Sequence, residues 1–333
     1  VRTAQLRQAL RLRRKRQRLL WRAFRARHAL TPRIDRTRGL PRGAILCLCC
    51  LRNEMAQLPL FLDHHRRLGV DHFLFVDNGS DDGSLAFLAA QPDVSVWSTA
   101  ASYRDARFGM DWLGWLLMRH GHGRWCLTLD ADERLIYPFW TTRPLPALTA
   151  WLDHGGQEAL GALMLDLYPQ GRLSEAGAPE DLLWFDAGNY TLRQQAPGQA
   201  LWIQGGPRAR AFFADAPRRA PTLNKVPLVR WHRRYAYLNA AHTLLPPRLN
   251  RTYASAGGEA LTGVLLHGKF LGAIVEKSAE ELVRRQHFGD PARAAAYQRA
   301  LMGDPVLKTP QSTRYTGWRQ LVALGLMSRG GWP

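Results

Sequence analysis

Leu127-Thr128-Leu129-Asp130-Ala131-Asp132-Glu133 is an apolar run of strand length that ends in three acids within four residues. Alternation along a nearly extended segment puts Asp130 and Asp132 on the same side, so both carboxylates can face one ligand. Like charges that close repel unless a cation lies between or beside them. Oxygen ligands favour a hard divalent ion such as Mg²⁺ or Mn²⁺, which in turn can bridge the phosphates of a nucleotide. Read alone, the same acids would cap a helix or solvate a loop. Their place after a buried strand is what argues for a site.

Upstream of this stretch, short apolar runs alternate with helix-length amphipathic segments. Ala44 to Leu51 reads as a first buried strand, Glu54 to Leu68 as a helix, His72 to Val76 as a strand and Leu85 to Ala90 as a helix. Val94 to Trp97 is a third strand, Asp105 to His120 a longer helix, and Arg124 to Leu129 the fourth strand. This is the α/β pattern of a largely parallel sheet flanked by helices, and such sheets bind ligands at the carboxyl ends of their strands. A second acidic loop, Asp77-Asn78-Gly79-Ser80-Asp81-Asp82-Gly83-Ser84, follows the second strand. Its glycines allow a tight turn, and Asp77 at the strand end can accept hydrogen bonds from a nucleobase or ribose.

With these motifs the sequence resembles the GT-A glycosyltransferases, in particular their family 2-like bacterial branch. The matching residues are Leu51-Arg52-Asn53-Glu54, Phe75-Val76-Asp77-Asn78-Gly79-Ser80-Asp81-Asp82-Gly83-Ser84 and Asp130-Ala131-Asp132-Glu133. Lys225 to Trp231 and Leu265 to Phe270 look like C-terminal signatures of the same branch. The resemblance implies a GT-A, Rossmann-like fold and a transferase that uses a nucleotide sugar, a UDP-sugar being the expected donor, with Mn²⁺ or Mg²⁺. It implies Asp77 near the nucleobase, Asn53 and Glu54 by the nucleoside, Asp130 near the ribose or donor sugar, and Asp132 on the metal with Asp130 as a second carboxylate ligand. Arg104 and Arg107 would contact phosphate or lie on a solvated helix face. His267 would be a further metal ligand or a satisfied core side chain, with His242 the second choice.

An inverting reaction asks for a general base near the acceptor hydroxyl. Asp166, in Met164 to Tyr168, and Asp186, in Trp184 to Asp186, come from the region expected to bind an acceptor, although each could instead pair with an arginine. Trp112, Trp115, Trp184 and Trp202 could stack on sugar rings or fill a core. The segment from Arg208 to Arg234 carries eight cations against Asp215 alone, to meet an anionic acceptor, diphosphate or lipid, or simply to be solvated.

The 333 residues carry a net charge of +19, and composition is globular, with 46% hydrophobic and 22% charged residues. Residues 1–42 hold 15 of the Lys and Arg residues and one acid, Asp35. Residues 1–28 read as a basic amphipathic helix with an apolar face of Leu6, Leu10, Leu20, Trp21 and Phe24. Such a helix could lie on an anionic membrane, bind nucleic acid, or pack on the body. A linker, Thr31 to Gly43, would follow. Cys47, Cys49, Cys50 and Cys126 lie in apolar runs and read as buried thiols rather than as a disulfide framework or zinc site.

No apolar stretch approaches the roughly 20 residues of a membrane span, and no apolar segment follows the leader charges as in a secretory signal. The expected organisation is a helix and linker at 1–42 and a catalytic domain at 43–271. That domain divides at 137/138 into nucleotide-sugar and acceptor halves, and a helical segment follows at 272–333. The expected protein is a cytoplasmic glycosyltransferase, peripheral on the inner membrane, acting on a cell-surface polysaccharide or glycolipid. The rivals are a nucleic-acid-binding protein with a non-catalytic α/β body and a sugar nucleotidyltransferase.

Overall fold

The computed structural model describes residues 2–193, 201–253, 259–284 and 291–333. Among them, nine strands form the central sheet: β1 Thr31–Ile34, β2 Leu46–Leu51, β3 His72–Asp77, β4 Val94–Ser98, β5 Trp125–Thr128, β6 Glu133–Ile136, β7 Ala159–Asp166, β8 Asn224–Arg230 and β9 Thr262–His267. Their order across the sheet is β1-β4-β3-β2-β5-β8-β7-β9-β6. Strands β4, β3, β2, β5, β7 and β9 run one way, and β1, β8 and β6 run against them. The chain therefore has the expected α/β architecture, a mostly parallel sheet flanked by helices.

The helices are α1 Arg2–Ala26, α2 Leu58–Leu68, α3 Ser84–Ala89, α4 Met110–Leu116, α5 Leu145–His154, α6 Gly206–Phe212, α7 Ala273–Arg284, α8 Pro291–Met302 and α9 Trp318–Ala323. Central strands read as unbroken apolar runs because both of their faces are covered. In β2 and β3, Cys47, Cys49, Phe73 and Phe75 pack with Phe61 and Leu62 of α2. The alternate residues Leu46, Leu48, Leu74 and Val76 pack with Trp112, Leu113 and Leu116 of α4 on the other face. Cys47, Cys49 and Cys126 are buried and Cys50 half-buried, all as free thiols. Burial pushes the thiols up, which keeps them protonated and unreactive.

The helix expected from Glu54 starts at Leu58, and two further segments differ from the sequence reading. The helix expected over Asp105 to His120 starts only at Met110, because Arg107, Phe108 and Gly109 take left-handed backbone conformations in succession. Such a run cannot continue a right-handed helix. A Cβ on Gly109 would lie 2.9 Å from the Cys50 sulfur, so the turn needs glycine there for space as well as for conformation. The expected linker contributes β1, an edge strand paired antiparallel with β4. The basic helix packs on the body, one of the alternatives its sequence left open: α1 lies along α4, where Arg22 pairs with Asp111 at 2.8 Å and donates to the Asp105 carbonyl. Positions 285–290 of the expected helical C-terminal segment lie outside the described residues.

The topology fixes where a ligand can sit. From β2 the chain builds outward through β3 and β4, then returns to place β5 on the other side of β2. A reversal of this kind opens a crevice beyond the carboxyl ends of the two strands that flank it. Here those ends are the residues after Leu51 and after Thr128. They are the Arg52 to Gln57 loop and the Asp130 to Asp132 loop.

Candidate functional site

A cavity of about 290 Å³ lies over that switch point. Its walls come from the loop after β2, including Asn53, Glu54 and Gln57, from Asn78 and Tyr103, and from Asp130 to Asp132. The run His267 to Lys269 after β9 and the faces of α7 and α8 close it from the other side. Arg52, Lys269 and Lys277 bring positive charge to a space that also receives Asp130, Asp132 and Glu54.

Strand register assembles the polar floor. In the parallel β7–β9 pair Asp166 lies beside His267, and in the antiparallel β9–β6 pair His267 lies beside Glu133. Three ionisable residues far apart in sequence therefore line up at one sheet edge. The His267 Nδ1 donates to Asp166 Oδ1 at 2.6 Å, and its Nε2 faces Asp132 Oδ2 at 3.2 Å. The other Asp166 oxygen accepts from Arg208 Nε at 2.7 Å. A continuous chain of alternating charge, Arg208–Asp166–His267–Asp132, thus runs from the interior to the cavity wall.

Burial works against a charged imidazole, but Asp132 and Asp166 override it and hold the His267 pKa up at about 9. Burial likewise opposes ionisation of Asp132, and His267 outweighs it, so the carboxyl stays well below its ordinary range. For Asp166 the same opposition is overcome first by Arg208 and then by His267, bringing it down to about 2.

Asp130 is handled separately. Its side chain is 54% exposed, and Lys225 of β8 donates to it at 2.7 Å while also donating to the fully buried Glu133. The second Glu133 oxygen accepts the Asp130 backbone N–H at 3.0 Å, which ties the turn down. Burial disfavours the Lys225 charge, yet the two carboxylates raise its pKa above the ordinary lysine value. The cations that let Asp130, Asp132 and Glu133 stand together are therefore protein side chains, Lys225 and His267. The sequence reading had assigned that task to a metal. Burial pushes the Glu133 carboxyl up to about 7 even beside Lys225.

A divalent ion still fits the donor set. Asp132 and His267 both line the cavity; an ion there would take the place of the Nε2 proton that His267 holds toward Asp132, and Asp166 behind Nδ1 would keep the ring oriented for it. Among the described residues no group of three or more His, Cys, Asp or Glu side chains gathers as a metal cage. An ion here would rely on one carboxylate, one imidazole, and oxygens from phosphate and water, a sparse protein shell of the kind Mg²⁺ uses.

The remaining expected residues divide clearly. Asn53 and Glu54 line the cavity. Asn53 takes a left-handed conformation and accepts the Asp81 N–H at 2.9 Å, and Glu54 pairs with Lys277 of α7 at 2.9 Å. Burial pushes the Glu54 carboxyl up to about 7 even beside that lysine. Asp77 is not a lining residue. It is buried and accepts the Gly79 and Ser80 N–H groups of its own loop, leaving its neighbour Asn78 on the wall.

Arg107 is also absent from the wall, because its guanidinium is held by Asp111 and by the Tyr237 and Leu238 carbonyls. Neither proposed base is placed to take a proton from an acceptor. Asp166 has no exposed side-chain surface and both oxygens are in use. Asp186 is gripped by Nε and one terminal nitrogen of Arg210, by Tyr168 and by Asn189. His242 donates to the Asn224 carbonyl away from the wall, and Trp112, Trp115, Trp184 and Trp202 do not line it.

Sequence reasoning missed Lys225, Lys277, Arg208 and the closing role of α7. Only Lys225 carried a local signal: a lone lysine inside the apolar strand Asn224 to Val229 requires a buried carboxylate partner. No helix among the described residues is long and apolar enough to cross a membrane.

No protein-family model matches the chain, and no curated protein matches its sequence. Among solved structures, it is similar to a glucosyl-3-phosphoglycerate synthase from Mycobacterium tuberculosis, solved with Mn²⁺, uridine diphosphate and phosphoglyceric acid. That match has 19% identity and a TM-score of 0.24, and covers 41% of this chain and 48% of the synthase, about half its length. A putative glucose-1-phosphate thymidylyltransferase from Bacillus anthracis, in complex with a sucrose, matches at 7% identity and a TM-score of 0.30. That match covers 79% of this chain and 84% of the other.

Proposed function

We propose that the protein is a metal-dependent glycosyltransferase of the GT-A type, moving a sugar from a nucleotide-diphosphate donor, a UDP-sugar, to a glycan or lipid-linked acceptor. The observation that carries this reading is the Asp132–His267 pair, backed by Asp166, facing a cavity at the β2/β5 switch point. Asp132 and His267 would hold Mn²⁺ or Mg²⁺, and such an ion offsets charge on a departing diphosphate.

The chain's own residues supply the rest. Lys269 gives the cavity a cationic group that complements a diphosphate, Arg52 and Lys277 would have to exchange their pairs with Glu280 and Glu54 to join it, and Asn53 and Asn78 offer polar contacts for a nucleoside. Lys225 holds the Asp130 carboxylate toward the cavity, where it can accept hydrogen bonds from ribose or donor-sugar hydroxyls. Asp166 acts as a positioning residue: by accepting from Nδ1 it fixes the His267 ring, and Arg208 keeps Asp166 in place. In this reading Asp77 shapes the nucleoside loop through its turn hydrogen bonds and does not touch the base.

Product analysis tests the assignment. With UDP-sugars, Mn²⁺ and a glycan acceptor, the expected products are UDP and a glycosylated acceptor, with slow donor hydrolysis when acceptor is withheld. Release of pyrophosphate from a nucleoside triphosphate and a sugar phosphate would instead identify a nucleotidyltransferase and overturn the proposal.

A further inference from the structure

Helix α1 has two apolar faces, and the body uses one. Leu12, Leu19, Leu20 and Ala23 are buried or half-buried against α4 and the hairpin built from residues 236–239 and 243–245. Leu6, Leu10, Trp21 and Phe24 are 63%, 54%, 60% and 36% exposed, and they make up half of the large exposed hydrophobic residues described. At 3.6 residues per turn these four fall within about 60° of one another, on a side turned about 125° from the buried face. The sequence alone grouped Leu20 with them, and the structure separates it.

Charge frames the exposed arc. Arg7, Arg11, Arg14, Arg18 and Arg25 are exposed along one flank and Arg13 along the other, and α1 contains no acid. The aromatic end of the arc is organised: Trp21 stacks on Phe24 at 5.6 Å, Phe24 meets Trp115 edge-on, and the Arg27 guanidinium lies 3.5 Å from the Phe24 ring centre. From residue 3 to residue 11 every side chain is exposed except half-buried Gln8, and Gln5, Gln8 and Ala9 border a shallow cavity against Leu245 to Pro247, leaving Leu6 and Leu10 open to solvent.

We infer that α1 is a docking helix for an anionic lipid bilayer, its Leu6–Leu10–Trp21–Phe24 arc entering the headgroup region while the flanking arginines meet lipid phosphates. Charge complementarity selects an anionic partner, and the apolar arc selects a bilayer over a nucleic acid, because a phosphate backbone offers nothing to four exposed apolar side chains. Trp and Leu on one side of an arginine-rich helix suit the interface, where an amphipathic ring sits at headgroup depth. The inference does not depend on the cavity's chemistry.

Cosedimentation of the whole chain with phosphatidylcholine vesicles, with and without phosphatidylglycerol, tests it. Binding is expected only to the anionic vesicles and should weaken as salt screens the arginines. The double variant Leu10→Ser/Trp21→Ser, altered only at exposed positions, should keep the wild-type circular dichroism and melting temperature while losing about tenfold or more in vesicle affinity. Equal binding to neutral vesicles, no binding to anionic ones, or unchanged affinity in the double variant would overturn the inference. So would tighter binding to duplex DNA that the double variant leaves unaltered.

Discussion

Asp132→Ala is expected to lower sugar transfer by about 10³-fold with little loss of fold. The carboxylate faces the cavity and keeps 21% of its side chain exposed, so its removal opens no large void in the core. Its role is electrostatic: it is the cavity-facing end of the Arg208–Asp166–His267–Asp132 chain and the only carboxylate of the proposed ion-binding pair. Losing a group that stabilises charge developing in a transition state typically costs 10²–10³-fold or more in turnover. Asp132→Asn keeps the shape and removes the charge, and it should be nearly as inactive. Transfer rates within a few-fold of wild type in both variants would remove Asp132 from the mechanism.

Lys225→Met should act on stability instead. The lysine is buried, with 4% of its side chain exposed, between Asp130 and the fully buried Glu133. Asp130 can turn to water, but Glu133 cannot. Breaking a buried pair by removing one partner costs at most about 3–5 kcal/mol, and burial already holds the Glu133 carboxyl up at about 7 beside the lysine, so without Lys225 it takes up a proton and the loss falls toward the lower end. For a chain of this size that corresponds to a fall of roughly 5–15 °C in the melting temperature. The physical cause is checked by the double variant Lys225→Met/Glu133→Gln, which removes the stranded charge yet keeps an acceptor for the Asp130 N–H. It should regain most of the lost stability. A single variant that melts with the wild type would show that the pair carries no weight.

The contrast between these variants reflects how the site was readable in sequence. Strands β2 to β5 are visible because two-sided burial leaves unbroken apolar runs, and their helices are visible by periodicity. The acids after β5 are visible because a strand end places them there. What pairs with them is not local. His267 is a lone histidine between Leu266 and Gly268, and only the parallel register of β9 on β7 sets it beside Asp166, 101 residues away. Lys225 reaches Asp130 because β8 is inserted antiparallel between β5 and β7. The turn at Arg107 and Phe108 breaks a helix whose composition is otherwise favourable, since the space beside Cys50 dictates that backbone. Edge strand β1 has four residues and a proline, too little pattern to register as a strand. The resemblance points to His267, which lines the cavity, and to Asp77 and Arg107, which do not: Asp77 is used by its own loop and Arg107 by the Tyr237 and Leu238 carbonyls.

The same register sets Lys225 and His267 against the acid cluster. The cluster brings its own cations, so folding and ion binding are separable, and the cavity can be tested for its ligand directly. Calorimetric titration of UDP into the wild-type protein, with Mn²⁺ present and again with the ion chelated, is the most direct measurement. The account predicts saturable one-to-one binding with Mn²⁺ that weakens at least about tenfold on chelation, because the diphosphate then meets Asp132 with no cation between them. No heat of UDP binding with the ion present, or equal affinity with and without it, would contradict the account.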